Sequence, residues 1–409
     1  MIDMTRSTRF TIAIALSLSA APAAAQERVG TISSAPTATT APGWTFTPSF
    51  GYGLTYDDNI SMFGIRVAEQ ANDDLISAYQ PGLEIGYRGR HTHLEGDYSG
   101  SFLNYRTFSG LNRWDQRGKL EVRRQESARL KWFVRGTGAA VPSTDLIELG
   151  GIPYRRTGAI EEEGRGGIDI ALGSRDSVGS SFMDQFIDFE RTNDSRVLLR
   201  GGHVLESLNA WRHKLGGRLS IGTDYSFRRA TVTGDAEPFN IHSAEAALDY
   251  ELSPAWTVNG GAGLAYLERT PTTAAHTGPA WRVSLEWRHN TSSFHAGFVR
   301  SFIPSFGFGG TIQDEEAGAG YRTVLFHNRR WYMDHSAVFR NDRPLTSTFE
   351  QLPLRSLRTN SVLGFSPEPW VRLEAYYSRI QQTSLRAGGQ LFRNRVGFQI
   401  VTSKPVRVS

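Results

Sequence analysis

Between Trp281 and Phe302 the chain alternates. Trp281, Val283, Leu285 and Trp287 take every second position, and Arg282, Ser284, Glu286 and Arg288 take the positions between them. A two-residue period belongs to a β-strand, whose successive side chains point to opposite faces. A polar break at residues 289–293 follows. A second alternation then places Phe294, Ala296, Phe298 and Phe302 on one side, with Arg300 as the exception. Two such runs around a short break predict a hairpin with one apolar and one charged face.

The same pattern recurs from Trp44 to the end of the chain. Phe50, Tyr52, Leu54 and Tyr56 share one parity. Leu94, Tyr98 and Phe102 face away from Glu95, Asp97, Ser99 and Ser101. Leu120 and Val122 face away from Lys119, Glu121 and Arg123, and Trp132 and Val134 from Lys131 and Arg135. Further alternating runs surround Ile168, Phe182, Ile221, Leu248, Leu264, Trp331, Leu363, Leu373 and Phe398, and no helical period competes over a comparable length. Tight polar breaks near Gly89, Glu126, Ser174, Trp211, Ser253, His289, Asn328 and Pro367 are spaced 36 to 48 residues apart, enough for two strands each. Between them lie longer connections, at 57–74, 139–156, 231–239, 270–278, 303–312 and 340–349. Short turns at one end and long loops at the other characterise an outer-membrane barrel. A soluble β-propeller fits worse, because it needs four short strands and a recurring signature in each unit of this length.

The pattern predicts an all-β chain: a single transmembrane antiparallel up-and-down β-barrel of about 18 strands, within 16–18, with an even number because both termini lie on the periplasmic side. The domain plan is a signal peptide at 1–25, a disordered periplasmic leader at 26–43, the barrel at 44–401 and a C-terminal tail at 402–409. Arg6 and Arg9, the apolar run 10–20 and Ala23-Ala24-Ala25 carry the signal reading. The leader is rich in Thr, Ser, Ala and Pro. Export through a cleaved signal peptide places the expected barrel in the bacterial outer membrane.

Composition narrows the chemistry. The 409 residues include no Cys, which excludes zinc-thiolate, iron–sulfur and disulfide chemistry. No segment after the signal holds the roughly 18 continuous apolar residues of a spanning helix. A net charge of +4 spread along the chain is not a nucleic-acid stripe. No cofactor is expected.

The string Tyr56-Asp57-Asp58-Asn59-Ile60 follows the first strand. Together with the signal, leader and hairpin array, it resembles a family of bacterial outer-membrane β-barrel porins in which the first strand runs into Tyr-Asp-Asp-Asn. The resemblance implies a barrel without catalytic residues, sometimes associated with exopolysaccharide genes. The C-terminus departs from the common outer-membrane pattern: residues 402–409 follow the last strand where an aromatic end is usual.

Several constellations are candidates for function. Arg218, Arg282, Arg288, Arg372, Arg393 and Arg395 share the inward parity with Asp224, Glu286 and Glu374. Such charges either set the solute preference of a wet lumen or brace its wall by ion pairs, and both readings stand. Asp57, Asp58, Asn59, Asp73 and Asp74 form an acidic loop of hard oxygen ligands in no recognised calcium pattern, which favours solvated surface turns. His91 and His93 lack a third metal ligand, so no metal site is expected. Asp334-His335 and Ser301 show no nucleophile–base geometry, and the chain is not expected to be an enzyme.

The expected function is porin-like passive passage of small hydrophilic or anionic solutes. The alternatives are exopolysaccharide export, or a structural or adhesive barrel whose lumen is closed, for instance by residues 139–156. Expected partners are outer-membrane lipid and lipopolysaccharide, the barrel-insertion machinery and a polysaccharide, with no nucleic acid.

Overall fold

The computed structural model describes residues 42–408 apart from 63–71, 148–149, 191–198, 235–236, 272, 308, 327–329, 346–352 and 385–388. The signal and most of the leader lie outside these residues.

Alternation dictates the fold. Each strand can bury neither of its faces alone, and the sheet closes on itself, which removes both edges. The strands are β1 (Gly43–Asp57), β2 (Asp74–Arg88), β3 (Thr92–Tyr105), β4 (Arg113–Gln125), β5 (Leu130–Val141) and β6 (Ala159–Ala171). They continue as β7 (Asp176–Phe189), β8 (Gly202–Lys214), β9 (Leu219–Val232), β10 (Phe239–Ser253), β11 (Trp256–Leu267) and β12 (His276–His289). The last are β13 (Ser292–Pro304), β14 (Thr311–Leu325), β15 (Trp331–Pro344), β16 (Leu354–Glu368), β17 (Val371–Ser384), β18 (Gln390–Ser403) and the short β19 (Val406–Val408). Each of the first 18 pairs antiparallel with its sequence neighbour, and β1 pairs with β18 from Ser49↔Ser403 to Asp57↔Arg395 to close the barrel. The 18-stranded barrel is therefore as the alternation predicts. The stretch expected as a free tail takes part in the wall: β18 runs to Ser403, and β19 pairs Val406–Val408 with Phe46–Trp44 of β1.

Connections at the end that holds both termini span two to five residues, and those at the other end five to 17. The break read near Trp211 is instead strand. Residues 211–214 complete β8 and the turn falls at 215–218, because a Trp-Arg-His-Lys run is polar enough to mimic a turn but pairs fully with β7 and β9.

The outer face carries exposed Phe50, Tyr52, Leu54, Leu120, Val134, Ile168, Phe182, Ile221, Leu248, Leu264, Val283, Phe339, Leu363 and Phe398. An apolar band of this extent around a closed sheet needs lipid to cover it. The inner face differs between the two ends. At the loop end it is apolar from β5 to β13: Val141, Ile187, Val204, Val232, Ile241 and Leu267 form one buried cluster with Ile147, Ile152 and Phe306 from the loops and with Phe302, which departs from the outward parity of Phe298 to join it.

Candidate functional site in the barrel lumen

In the loop between β5 and β6, the described residues 142–147 and 150–158 turn into the lumen instead of outward. Its first anchor is apolar. Ile147 and Ile152, each 3% exposed, pack into the inward cluster of β5–β13, a burial of about 1.5–3 kcal/mol each. Its second anchor is polar and lies across the lumen. Gly151 donates its N–H to Asp342 Oδ2 of β15 at 2.8 Å. The Gln382 side chain of β17 accepts from Tyr154 N at 2.8 Å and donates to Ile152 O at 3.2 Å. Arg358 of β16 donates to Asp145 O. Gly151 has φ +71°, and a Cβ there would stand 2.7 Å from both Ile312 Cδ1 and Ser305 Oγ, so only glycine fits this close approach.

The strongest contact of the loop is ionic. Asp145 Oδ2 accepts from Arg393 Nη1 at 2.9 Å and Arg395 Nη2 at 2.8 Å. The same two arginines hold Asp57 Oδ2, at 2.5 Å from Arg393 Nη2 and 3.2 Å from Arg395 Nε. All four side chains are 8% exposed or less. Two cations and two anions close a neutral quartet, the condition under which buried charge is tolerated. Burial opposes ionisation of Asp145, but Arg393 and Arg395 outweigh it and hold the carboxyl below the usual carboxylate range.

This quartet settles the acidic string after the first strand. Asp57 and Asn59 are 0% and 1% exposed, and Asp74 is 4% exposed, so these residues are not solvated surface turns. Asp57 faces Arg393. Asp58 accepts from Asn394 N at 2.6 Å and Asn394 Nδ2 at 2.7 Å. Asn59 donates to Phe392 O at 2.7 Å, and Asp74 accepts from Thr107 N and Phe108 N. Asp73 accepts from Tyr56 OH at 3.0 Å. The string fastens the first strand to the last, and its carboxylates are taken up by that task. Among the described residues no group of three or more His, Cys, Asp or Glu is placed to hold a metal.

The other lumen charges are paired as well. Asp224 accepts from Arg212 at 2.6 and 2.9 Å and from Arg282 at 2.5 Å, and Arg212 also reaches Asp249 at 3.0 Å. Arg372 Nε lies 2.8 Å from Glu374, and Arg288 Nη2 lies 3.0 Å from Glu286 near the turn end. Arg218 does not line the lumen: it stands exposed in the turn before β9. Of the two readings left open for this set, the geometry supports wall bracing. Asp334 and His335 occupy consecutive, oppositely facing positions on β15, with His335 Nδ1 2.7 Å from Ser361 Oγ, and Ser301 Oγ donates to Phe302 O at 3.3 Å. These three do not form a catalytic arrangement.

The cationic surface lies elsewhere. A cavity of about 720 Å³ opens at the turn end of the lumen along β2–β6. Arg88, Arg90, Arg123, Arg124, Lys131, Arg135 and Arg165 line it with His91 and His93, against only Glu121 and Asp169 as acids. Lys119 and Arg123 contact Glu121, Arg124 Nε lies 2.7 Å from Glu126, and Arg135 lies 2.8 Å from Glu163, and cations still outnumber acids in the lining. Arg123, Lys131 and Arg135 share one parity across a single hairpin, and that regularity could have marked them in the sequence.

The chain matches no family model and no curated protein. Among solved structures it is similar to OccK3 (OpdO) of Pseudomonas aeruginosa, at 12% identity and TM-score 0.43, over 88% of this chain and 96% of that one. It is also similar to OccAB3 and OccAB4 of Acinetobacter baumannii. OccAB3 shows 10% identity and TM-score 0.45 over 89% and 99% of the two chains. OccAB4 shows 11% and 0.45 over 91% and 100%. At these values the likeness assigns neither a family nor a solute.

Proposed function

We propose that the chain is a passive channel of the bacterial outer membrane for small hydrophilic anions, narrowed by the loop 142–158. One observation carries the reading: an open cavity lined by more Arg and Lys than acids lies directly inside the wall, on the turn side of the loop anchored across the lumen. Fixed positive charge in a narrow wet passage lowers the energy of an anion there. The lumen of an 18-stranded barrel is wide enough to conduct, so a loop folded across it sets the limiting width. The short-turn end faces the periplasm by the usual barrel orientation, which puts the cationic cavity at the inner mouth and the loop near the outer one.

The closed structural barrel is the second reading, favoured by the two-sided anchoring of the same loop. A wall sealed only for strength gains nothing from the unbalanced cations beneath, and that asymmetry supports passage. Purified barrel in planar bilayers under a salt gradient tests the reading. An anion-favouring reversal potential is expected, and a cation-favouring one, or no conductance, overturns it.

A further inference from the structure

The lipid-facing side of the barrel is not apolar throughout. On β13–β16 a row of polar residues crosses four neighbouring strands at the loop end: Arg300, Gln313, Glu315, Asn341, Arg343 and Arg355. Pairing fixes their direction. Arg300 stands opposite Trp281, which is 47% exposed on the outer face, and opposite Glu315 on its other side. Glu315 stands opposite Asn341, two residues from the exposed Phe339, and Asn341 opposite Arg355.

The six form one network. Arg300 Nη2 donates to Gln313 Oε1 at 3.1 Å, and Arg300 Nη1 lies 3.4 Å from Glu315 Oε1. Gln313 and Asn341 donate to Glu315 at 3.0 and 2.8 Å, and Arg355 Nε donates to Asn341 Oδ1 at 3.3 Å. Arg343 Nη2 lies 3.8 Å from Glu315, with its side chain 56% exposed. Two guanidinium groups thus share one carboxylate and a third, Arg355, joins through Asn341, so the row holds three cations and one anion. Arg300 Nε is buried and has no acceptor among the described residues.

A charged side chain on the lipid face costs about 2–4 kcal/mol at mid-membrane and about 0–1 near the interface. The row lies one to four residues from the loop ends of its strands, at Leu354, Pro344, Thr311 and Pro304. It therefore sits toward the headgroups of the leaflet on the loop side. Guanidinium forks match phosphate oxygens, two bonds at a time.

We infer that this row is a binding site for the phosphate groups of an anionic lipid of the outer leaflet, such as those of lipopolysaccharide. A second copy of the chain would have to bring carboxylates to the row, whereas the outer leaflet presents phosphates already. The inference rests on the loop end facing outward and is independent of whether the lumen conducts.

The test uses the full-length barrel in detergent with diphosphorylated lipid A, dephosphorylated lipid A and inorganic phosphate as probes, read by native mass spectrometry. Retention of diphosphorylated lipid A is expected. Arg300→Gln, Arg343→Gln and Arg355→Gln combined should weaken it roughly tenfold or more, since charge-assisted bonds are lost and each factor of ten is about 1.4 kcal/mol. Arg229→Gln, removing an outward arginine of β9, should not. Heat-modifiable migration in gels confirms that each variant is folded, and the corresponding triple Lys variant, which keeps the charge, covers the case in which the Gln variant fails to fold. It should retain lipid A more weakly than the native barrel. Equal retention of the two lipids, competition by inorganic phosphate alone, or a triple variant that binds as before would overturn the site. A triple variant that instead dissociates an oligomer would make the row an interface between copies, which also overturns it.

Discussion

The two ends of the lumen use charge in opposite ways. At the outer end Arg393, Arg395, Asp57 and Asp145 are shut away from water and sum to zero. At the inner end Arg123 is 66% exposed, and its neighbours around the cavity are mostly cations. Buried charge must be matched at short range or the desolvation cost unfolds the site. Exposed charge can remain unmatched, because water and salt screen it. The outer quartet therefore fixes where the loop stands, whereas around the turn-end cavity Arg123 and Arg135 meet Glu121 and Glu163 while cations still outnumber acids in the lining. Position in the lumen, more than residue type, decides whether an arginine is buried in a neutral cluster or exposed beside a cavity.

The largest effect should come from breaking the outer quartet. Asp145→Ala leaves Arg393 and Arg395 with only Asp57, and loss of one partner in a buried ion network costs about 3–5 kcal/mol. Urea unfolding of the barrel should show a cost in this range, and protease should reach the loop 142–158 in the variant but not in the native protein.

The wall that separates both regions from lipid can be tested next. Leu285→Arg places charge on the outer face and should cost about 2–4 kcal/mol near mid-membrane, while Ser284→Arg, one residue away on the inner face, should cost far less. A larger cost for Ser284→Arg would mean that the two faces are exchanged, and with them the lumen assignments, and equal costs would contradict the assignment of either face to lipid.

A smaller effect distinguishes the inner cations from the bracing ones. Arg123→Gln combined with Lys131→Gln should move reversal potentials toward cations. Arg372→Gln, at a side chain only 16% exposed beside Glu374, should move them little. The shift should shrink as salt rises past 0.1 M, where the screening length is about 10 Å.

The smallest effect expected is that of mild acid. The Asp145 carboxyl is held below its unfolded value, so its contribution to loop docking is fully present above that value and is lost only as pH falls through the depressed one. The loop should remain docked from neutral pH down through the ordinary carboxylate range, near 3.9. Loss of protease protection at the histidine range, near 6.5, would contradict this.

The strands were legible because one face meets lipid and the other water, so alternation is nearly continuous in residues such as Phe50 to Tyr56. It failed at Trp211–Lys214, where polar residues at the wet end of β8 imitate a turn. The fate of Asp57 could not be read locally, since Arg393 lies 336 residues away and only barrel closure brings them together. The sequence names residues 139–156 as a segment that could enter the lumen but not its anchors: Ile147 and Ile152 look like any loop residues until Val204, Ile241 and Leu267 face them. Arg218 keeps the inward parity of β9 but lies just beyond its first residue, where parity no longer implies direction. The cations of β4 and β5 had the clearest regularity and were passed over, because parity marks the face and not whether a partner neutralises the charge.

The central claim is that the loop 142–158, held by Asp145, sets the width of an anion path. Single-channel conductance of the native barrel and of Asp145→Ala in planar bilayers tests it most directly. The account predicts a small anion-favouring conductance in the native protein and a larger one in the variant, with anion preference kept because the inner cations are untouched. Identical conductances, or silence in both, would contradict it.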